Sequence, residues 1–167
     1  MTDIAIRRAR GSDLDALVAI YNYYVETTHI TFDVEPRTRD QRKAWLDGFS
    51  DCGRKQCFVA DRAGTAIGWA SSGPFKDRAA YDTSVETSVY LSPGESGKGT
   101  GRRLYQTLFE ALAREDVHRA FGGIAQPNEA SVGLHLAMGF RYVGTYCEVG
   151  RKFGRFWDVA VYEKAMG

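Results

Sequence analysis

Cysteine is scarce: Cys52, Cys57 and Cys147 are the three in 167 residues. Their number is odd, and they form no ligand cluster with His29, His118 and His135, so no metal site is expected. Buried or half-buried thiols are the expected state. Long apolar runs are missing. No window approaches a membrane span, and the N-terminal MTDIAIRRARGSDLD lacks the apolar run of a signal peptide. A surplus of charge is missing too: the net charge is +1, which gives no bulk argument for nucleic acid. There is no internal repeat, low-complexity tract or obvious linker. These absences point to a cytoplasmic enzyme that neither enters a membrane nor binds nucleic acid.

What is present is ordinary for a globular chain: 44% apolar and 26% charged residues. At this length one domain, 1–167, with a sizeable core is expected. The 13% aromatic content, with nine Tyr and nine Phe, suits a pocket, an oligomer interface or a core.

The stretch VETSVYLSPGESGKGTG, residues 85–101, organises the chain. Val85, Thr87, Val89 and Leu91 alternate with Glu86, Ser88 and Tyr90, the period of a strand. Ser92-Pro93-Gly94 punctuates it, Gly97, Gly99 and Gly101 follow at spacings of two, and a helical pattern comes next. Glycines let backbone N–H groups converge on a ligand, and a helix start adds unpaired N–H groups and a positive dipole end. Lys98 adds charge. The loop is therefore expected to hold a phosphate or pyrophosphate; the alternative is a flexible surface turn. Neither the Walker spacing nor G-x-G-x-x-G fits.

Ser96-Gly97-Lys98-Gly99-Thr100-Gly101 resembles the pyrophosphate loop of the GCN5-related N-acetyltransferases (GNAT). In that family the loop reads Arg or Gln, two residues, Gly, one residue, then Gly or Ala, and it holds coenzyme A. Ser96 departs from the usual Arg or Gln, which weakens one contact and leaves the backbone cradle.

Along the chain, Ile4 to Arg8 reads as a strand, and Ser12 with Asp15 as a capping box for a helix running to about Val25. Glu26 to Arg37 reads as an irregular or extended loop. Thr38 with Gln41 boxes a second helix, with Trp45, Leu46 and Phe49 as its inner face. This region is expected to form one wall of a substrate cleft or a surface connection. Gln56 to Ala60 and Ala66 to Ser71 form a hairpin around Gly64, and Gly73-Pro74 breaks the pattern. The helix after the glycine loop buries Leu104, Leu108, Ala111 and Leu112 and ends near Glu115 or Asp116. A strand over Ala120 to Ala125 follows. Asn128 caps a helix with Leu134 and Met138 as its buried stripe and Gly139 as its close. Phe140 to Glu148 and Phe156 to Glu163 are the last strands, joined by a loop over 150–155. The order predicts an α/β (α+β) architecture, a mixed central β-sheet with helices on both faces. It is also the element order of the GNAT acyl-CoA N-acyltransferase fold.

Glu86 sits on the strand feeding the loop. An attacking amine must lose a proton, and a carboxylate can take it directly or through water. The other reading is a solvent-facing residue or a structural ion pair. Tyr81 to Tyr90 resembles the same stretch of a narrower family, the phosphinothricin and methionine sulfone or sulfoximine N-acetyltransferases, where the glutamate is the proton acceptor. The stretches Gly73 to Tyr81, Tyr23 to Thr27 with Thr31-Phe32 and Glu35-Pro36, and Glu148 to Arg155 fit that family as well.

The resemblance implies acetyl-CoA as co-substrate, no metal, and a two-fold homodimer. It also implies a small amino acid acceptor, whose carboxylate Arg78 would bind as a two-pronged donor. Phe32 and Tyr81 would form the wall, with Lys76 and Lys152 as further substrate-binding candidates. Val89, Tyr90 and Leu91 would present main-chain N–H groups to the thioester carbonyl. Ser96, Gly97, Lys98, Gly99, Thr100 and Gly101 would hold the pyrophosphate. Asn128 either caps its helix or touches the pantetheine arm, with Ser131 one turn on. His135 stands where many relatives carry the tyrosine that protonates the leaving thiolate; it, a water or another residue would donate. Other acceptors are a polyamine, an aminoglycoside or a protein N-terminus, and a non-catalytic acetyl-CoA-binding protein is the remaining alternative.

Overall fold

The computed structural model describes residues 3–167. Seven strands form one sheet in the order β1-β2-β3-β4-β5-β7-β6. They are β1 (Ile4–Arg8), β2 (Cys57–Arg62), β3 (Thr65–Pro74), β4 (Ser84–Leu91), β5 (Arg119–Ala125), β6 (Arg141–Lys152) and β7 (Arg155–Ala165). The helices are α1 (Leu14–Thr27), α2 (Arg39–Asp47), α3 (Thr100–Leu112) and α4 (Glu129–Ala137). Every neighbouring pair is antiparallel except β4 and β5, which are parallel.

Each face of the sheet buries its own apolar set, as period-two strands covered on both sides must. Leu104, Tyr105, Leu108 and Leu112 of α3 pack on Phe58, Ala60, Ala70, Val85 and Ala120. Leu14, Leu17 and Ile20 of α1 and Leu46 of α2 pack on Cys57, Val59 and Trp69 from the other side. On β4, Val85 and Thr87 are buried toward α3, and Glu86 opens to the opposite side.

Several boundaries differ from the sequence reading. Ser12 does not cap α1. A 3-10 turn over Gly11–Asp13 comes first, and the Asp13 carboxylate accepts from the Arg10 N–H at 2.7 Å. Position β3 runs through Gly73 and Pro74, because β4 pairs with it as far as Pro74↔Val85. The Thr38–Gln41 box is present at α2. Helix α3 stops at Leu112, short of Glu115. The β6–β7 connection is a two-residue turn, Phe153-Gly154, with both φ positive. Residues 150–152 belong to β6 because they still pair with β7. In α4 the buried residue is His135; Leu134 and Met138 are only half-buried. Cys52 and Cys147 are exposed, and only Cys57 is buried. No helix among the described residues is long and apolar enough to cross a membrane.

One ion network ties the first elements together. Arg7 on β1 forks onto Asp13 at 2.7 and 2.8 Å and also donates to Asp61 on β2 at 2.6 and 2.9 Å. Burial pushes the Asp13 pKa up, but the Arg7 fork and the Arg10 N–H outweigh it and hold the carboxyl below the ordinary 3.8. A carboxylate with a depressed native pKa contributes its stability above the unfolded value and loses it as pH falls through the native one. Asp13→Ala is therefore expected to cost about 1–3 kcal/mol at neutral pH. In urea unfolding, the gap between variant and wild type should narrow as pH drops below about 4.

Candidate active site

Strands β4 and β5 pair over Ser84↔Arg119, Val85↔Ala120 and Glu86↔Phe121, and no further. Beyond Glu86 they diverge, leaving the β5-facing main chain of 87–91 without a strand partner. A cleft of about 840 Å³ opens there. The elements around it bring together Glu86, Val89, Tyr90, Leu91, Ser96, Gly97, Gly99, Gly101, Asn128, Ser131, His135 and Phe32, all singled out by the sequence.

The glycine loop forms one end of the cleft. Gly94, Gly97 and Gly99 have φ of +81°, +77° and +80°, and a Cβ on any of them would meet nothing within 4 Å. Their requirement is conformational. Gly101 is different: a Cβ there would lie 3.3 Å from the Leu134 side chain, so small size lets α4 pack against the start of α3. The first main-chain bond of α3 is Arg103 N–H to Gly99 C=O at 3.1 Å. The N–H groups of Thr100, Gly101 and Arg102 precede it and have no intrahelical acceptor. These unpaired backbone N–H groups converge at the glycine loop, an arrangement that suits an anion. The Lys98 ammonium is exposed and lies 3.6 Å from Glu95, which Arg62 already holds at 2.7 and 2.9 Å. Thr100 is buried, and its Oγ1 finds no partner among the described residues.

At the middle of the cleft Glu86 is open to an incoming molecule yet crowded by the walls. That partial desolvation alone raises its pKa above the ordinary 4.5. Gly123 lies beside it, where a Cβ would sit in ordinary contact, 3.6 Å from Glu86 Oε1.

Asn128 caps α4, its side chain accepting from Ser131 N–H at 3.1 Å, and it also lines the cleft. His135, a candidate donor to the leaving thiolate, is 3% exposed. Its Nδ1–H donates to the Ser131 carbonyl at 2.7 Å, leaving Nε2 to accept from the Tyr105 hydroxyl at 3.2 Å. Burial lowers its pKa below 6.5, against the raising effect of the Ser131 bond, so the ring is neutral. It fits only because residue 122 is glycine, whose Cβ would lie 2.6 Å from Nε2.

Phe32 walls the other end. Its ring occupies the space over Gly150, where a Cβ would come within 2.1 Å. Lys152 is buried and does not line the cleft. Its ammonium donates to the Thr31 carbonyl at 2.8 Å, fastening the α1–α2 loop to β6, and burial lowers its pKa. His29 stacks on Trp157 at 4.1 Å and reaches the Pro127 carbonyl at 2.9 Å, closing the same loop over the cleft. Lys76, Arg78 and Tyr81 lie outside the cleft lining, on the segment between β3 and β4. Phe75 stacks there on Phe121 at 4.1 Å, with Tyr81 and Lys76 against it. Phe121 is the register partner of Glu86, so this aromatic group adjoins the glutamate, and Arg78 is exposed at its rim.

Arg102, Tyr24 and Tyr105 also line the cleft and were not singled out. Arg102 carried the available signal, a cation in the first turn after the glycine loop. Tyr24 reaches the site by donating to the Leu91 carbonyl at 2.7 Å, and Tyr105 from the buried face of α3. Among the described residues no group of three or more His, Cys, Asp and Glu is placed to hold a metal.

Comparison with known proteins agrees with this geometry. Residues 6–161 match the family model described as an acetyltransferase (GNAT) domain. The chain is 51% identical over 166 residues to a phosphinothricin N-acetyltransferase of Streptomyces coelicolor, covering 98% of this chain and 97% of the relative. It is 36% identical to an L-methionine sulfoximine/L-methionine sulfone acetyltransferase of Pseudomonas paraeruginosa, over 93% of this chain and 90% of that one. A GNAT phosphinothricin acetyltransferase from Sinorhizobium meliloti, solved in complex with AcCoA, superposes with a TM-score of 0.93 at 30% identity, covering 100% of this chain and 90% of that one. The divergent strands, the glycine cradle and these matches agree: the chain belongs to the GNAT acetyltransferase family, in the branch that holds the phosphinothricin and methionine sulfoximine N-acetyltransferases, and is an acetyl-CoA-dependent N-acetyltransferase.

Proposed function

We propose that this enzyme acetylates the α-amine of a small amino acid analogue such as phosphinothricin, methionine sulfone or methionine sulfoximine. The observation that carries this reading is Glu86, unpaired where β4 and β5 part, with a pKa raised by desolvation alone. A carboxylate so placed takes a proton from an attacking amine close to neutral pH. Acetyl-CoA supplies the activated acetyl group when bound. Gly97, Gly99 and the first turn of α3 would hold its pyrophosphate, with Arg102 adding charge. Within Val89, Tyr90 and Leu91, the main-chain N–H groups that face away from β3 would orient the thioester carbonyl. Asn128 and Ser131 would line the pantetheine arm.

His135 fits a positioning role better than that of a direct acid. It is neutral, and its one N–H is committed to a carbonyl, so it fixes the Tyr105 hydroxyl at the cleft. Burial raises the Tyr105 pKa, so its hydroxyl keeps its proton and holds it on His135 Nε2, and a leaving thiolate would take its proton from water. Phe32 and the Phe75–Tyr81 group would wall the acceptor, with Lys76 and Arg78 at its anionic end. Lys152 would act through the Phe32 loop. The exposed Tyr142, Val143, Tyr146, Val149, Phe153 and Phe156 on the β6–β7 hairpin favour a homodimer through that face. The proposed compartment is the cytoplasm.

The test is release of free coenzyme A thiol from acetyl-CoA with methionine sulfone, methionine sulfoximine, phosphinothricin, spermidine and an N-terminal peptide. Turnover confined to the first three is expected. Turnover with spermidine or peptide alone would overturn the acceptor assignment. Glu86→Gln should lower kcat about 10²–10⁴-fold. In the wild type, kcat/KM should rise with pH through the raised Glu86 pKa, above the usual carboxylate range, and this acidic limb should vanish in the variant. An unchanged limb would assign it to another group.

A further inference from the structure

A second cavity, of about 370 Å³, lies between α2 and the sheet beside the cleft. Ser71 and Trp69 of β3 and Ser88 and Tyr90 of β4 form its floor, with Arg42 and Trp45 of α2 facing them. Ser88 and Tyr90 line the cleft as well, so the two spaces share a wall.

Arg42 is the anomaly. It is 6% exposed, and its guanidinium lies 3.6 Å from the Trp45 ring centre and 4.4 Å from that of Tyr21. Its Nε and Nη2 find no acceptor among the described residues. Aromatic faces offset only part of the cost of burying a cation. The nearby carboxylate does not serve it. Asp33 lines the same cavity, but Arg37 forks onto it through Nε and Nη2, and the Tyr21 hydroxyl donates to it at 2.6 Å. Arg37 thus uses on Asp33 the same planar two-nitrogen edge that Arg42 leaves vacant. Burial draws the Arg42 pKa down to about 10, which still leaves a cation at neutral pH. Ordinary packing would favour an apolar side chain here.

We propose that this cavity is a binding site for a small carboxylate, with Arg42 as its charge partner, the Ser71 and Ser88 hydroxyls as further donors, and Trp45, Trp69 and Tyr21 as walls for its apolar part. The carboxylate has two sources. It belongs either to the amine acceptor, reaching past Ser88 from Glu86 two residues away on the same strand face, or to a separate small acid. Only the first source rests on the reading of the reaction given above.

Trp45 and Trp69 report on the cavity. Tryptophan fluorescence of the full chain, titrated with propionate at constant ionic strength, should show a saturable change that neutral propionamide does not produce. In Arg42→Met the apparent dissociation constant should rise at least about tenfold, the loss of one charge-assisted pair. The melting temperature of that variant should hold or rise. Equal responses to propionate and propionamide, no saturation, or unchanged binding in a variant that melts lower would overturn the site. Should Arg42→Met fail to fold, wild-type crystals soaked in 2-bromopropionate give the second reading: anomalous density beside Arg42 supports the site, and bromine only in the cleft overturns it. In the thiol-release assay, propionate competing with the acceptor identifies the acceptor's own carboxylate as occupant. Propionate binding that leaves the acceptor KM unchanged identifies a separate acid. Failure of every amine in that assay would sink the acceptor assignment and leave the fluorescence result standing.

Discussion

Three residue pairs hold β4 to β5, and the rest of the structure depends on where that pairing stops. A parallel pair that continued past Glu86 would satisfy the main chain of Thr87 to Leu91 and fill the cleft. Because it stops, polar groups of β4 face open space beside a helix start that also lacks partners. The two deficits adjoin. One suits a carbonyl and the other a phosphate, the two groups that acetyl-CoA would present. Helix α3 keeps the strands apart without losing the core: Leu104, Tyr105 and Leu108 seal the face behind the opening.

Glycine shapes the space around that divergence. Gly101 admits Leu134, Gly122 admits the His135 ring, and Gly150 receives Phe32. Each does so by lacking a Cβ, and Gly97 and Gly99 contribute through backbone conformation instead. The cleft is therefore bounded by rings and main chain with few side-chain charges. In such a setting Glu86 is raised in pKa and His135 is kept neutral, both by desolvation.

Much of the fold was legible because its signals are local. Alternation on β4, the Thr38–Gln41 box, the Gly64 turn and the Asn128 cap each depend on residues a few positions apart. Errors came where tertiary contact overrides a local cue. Gly73-Pro74 looks like a break, yet β4 carries the strand through it. Residues 150–152 look like a loop, yet β7 pairs with them.

The sequence by itself determined the strand, glycine loop and helix around 85–101, the two-faced sheet and the family, since these rest on periodicity, turn chemistry and contiguous motifs. Only the tertiary structure decided what depends on residues far apart in the chain. Tyr105 and His135 meet across 30 positions, and Lys152 and Thr31 across 121. Arg42, on the largely polar helix α2, is caged by rings from α1, α2 and β3. Burial and partnership are properties of packed surfaces, and no local pattern encodes which cation will be left without an acceptor.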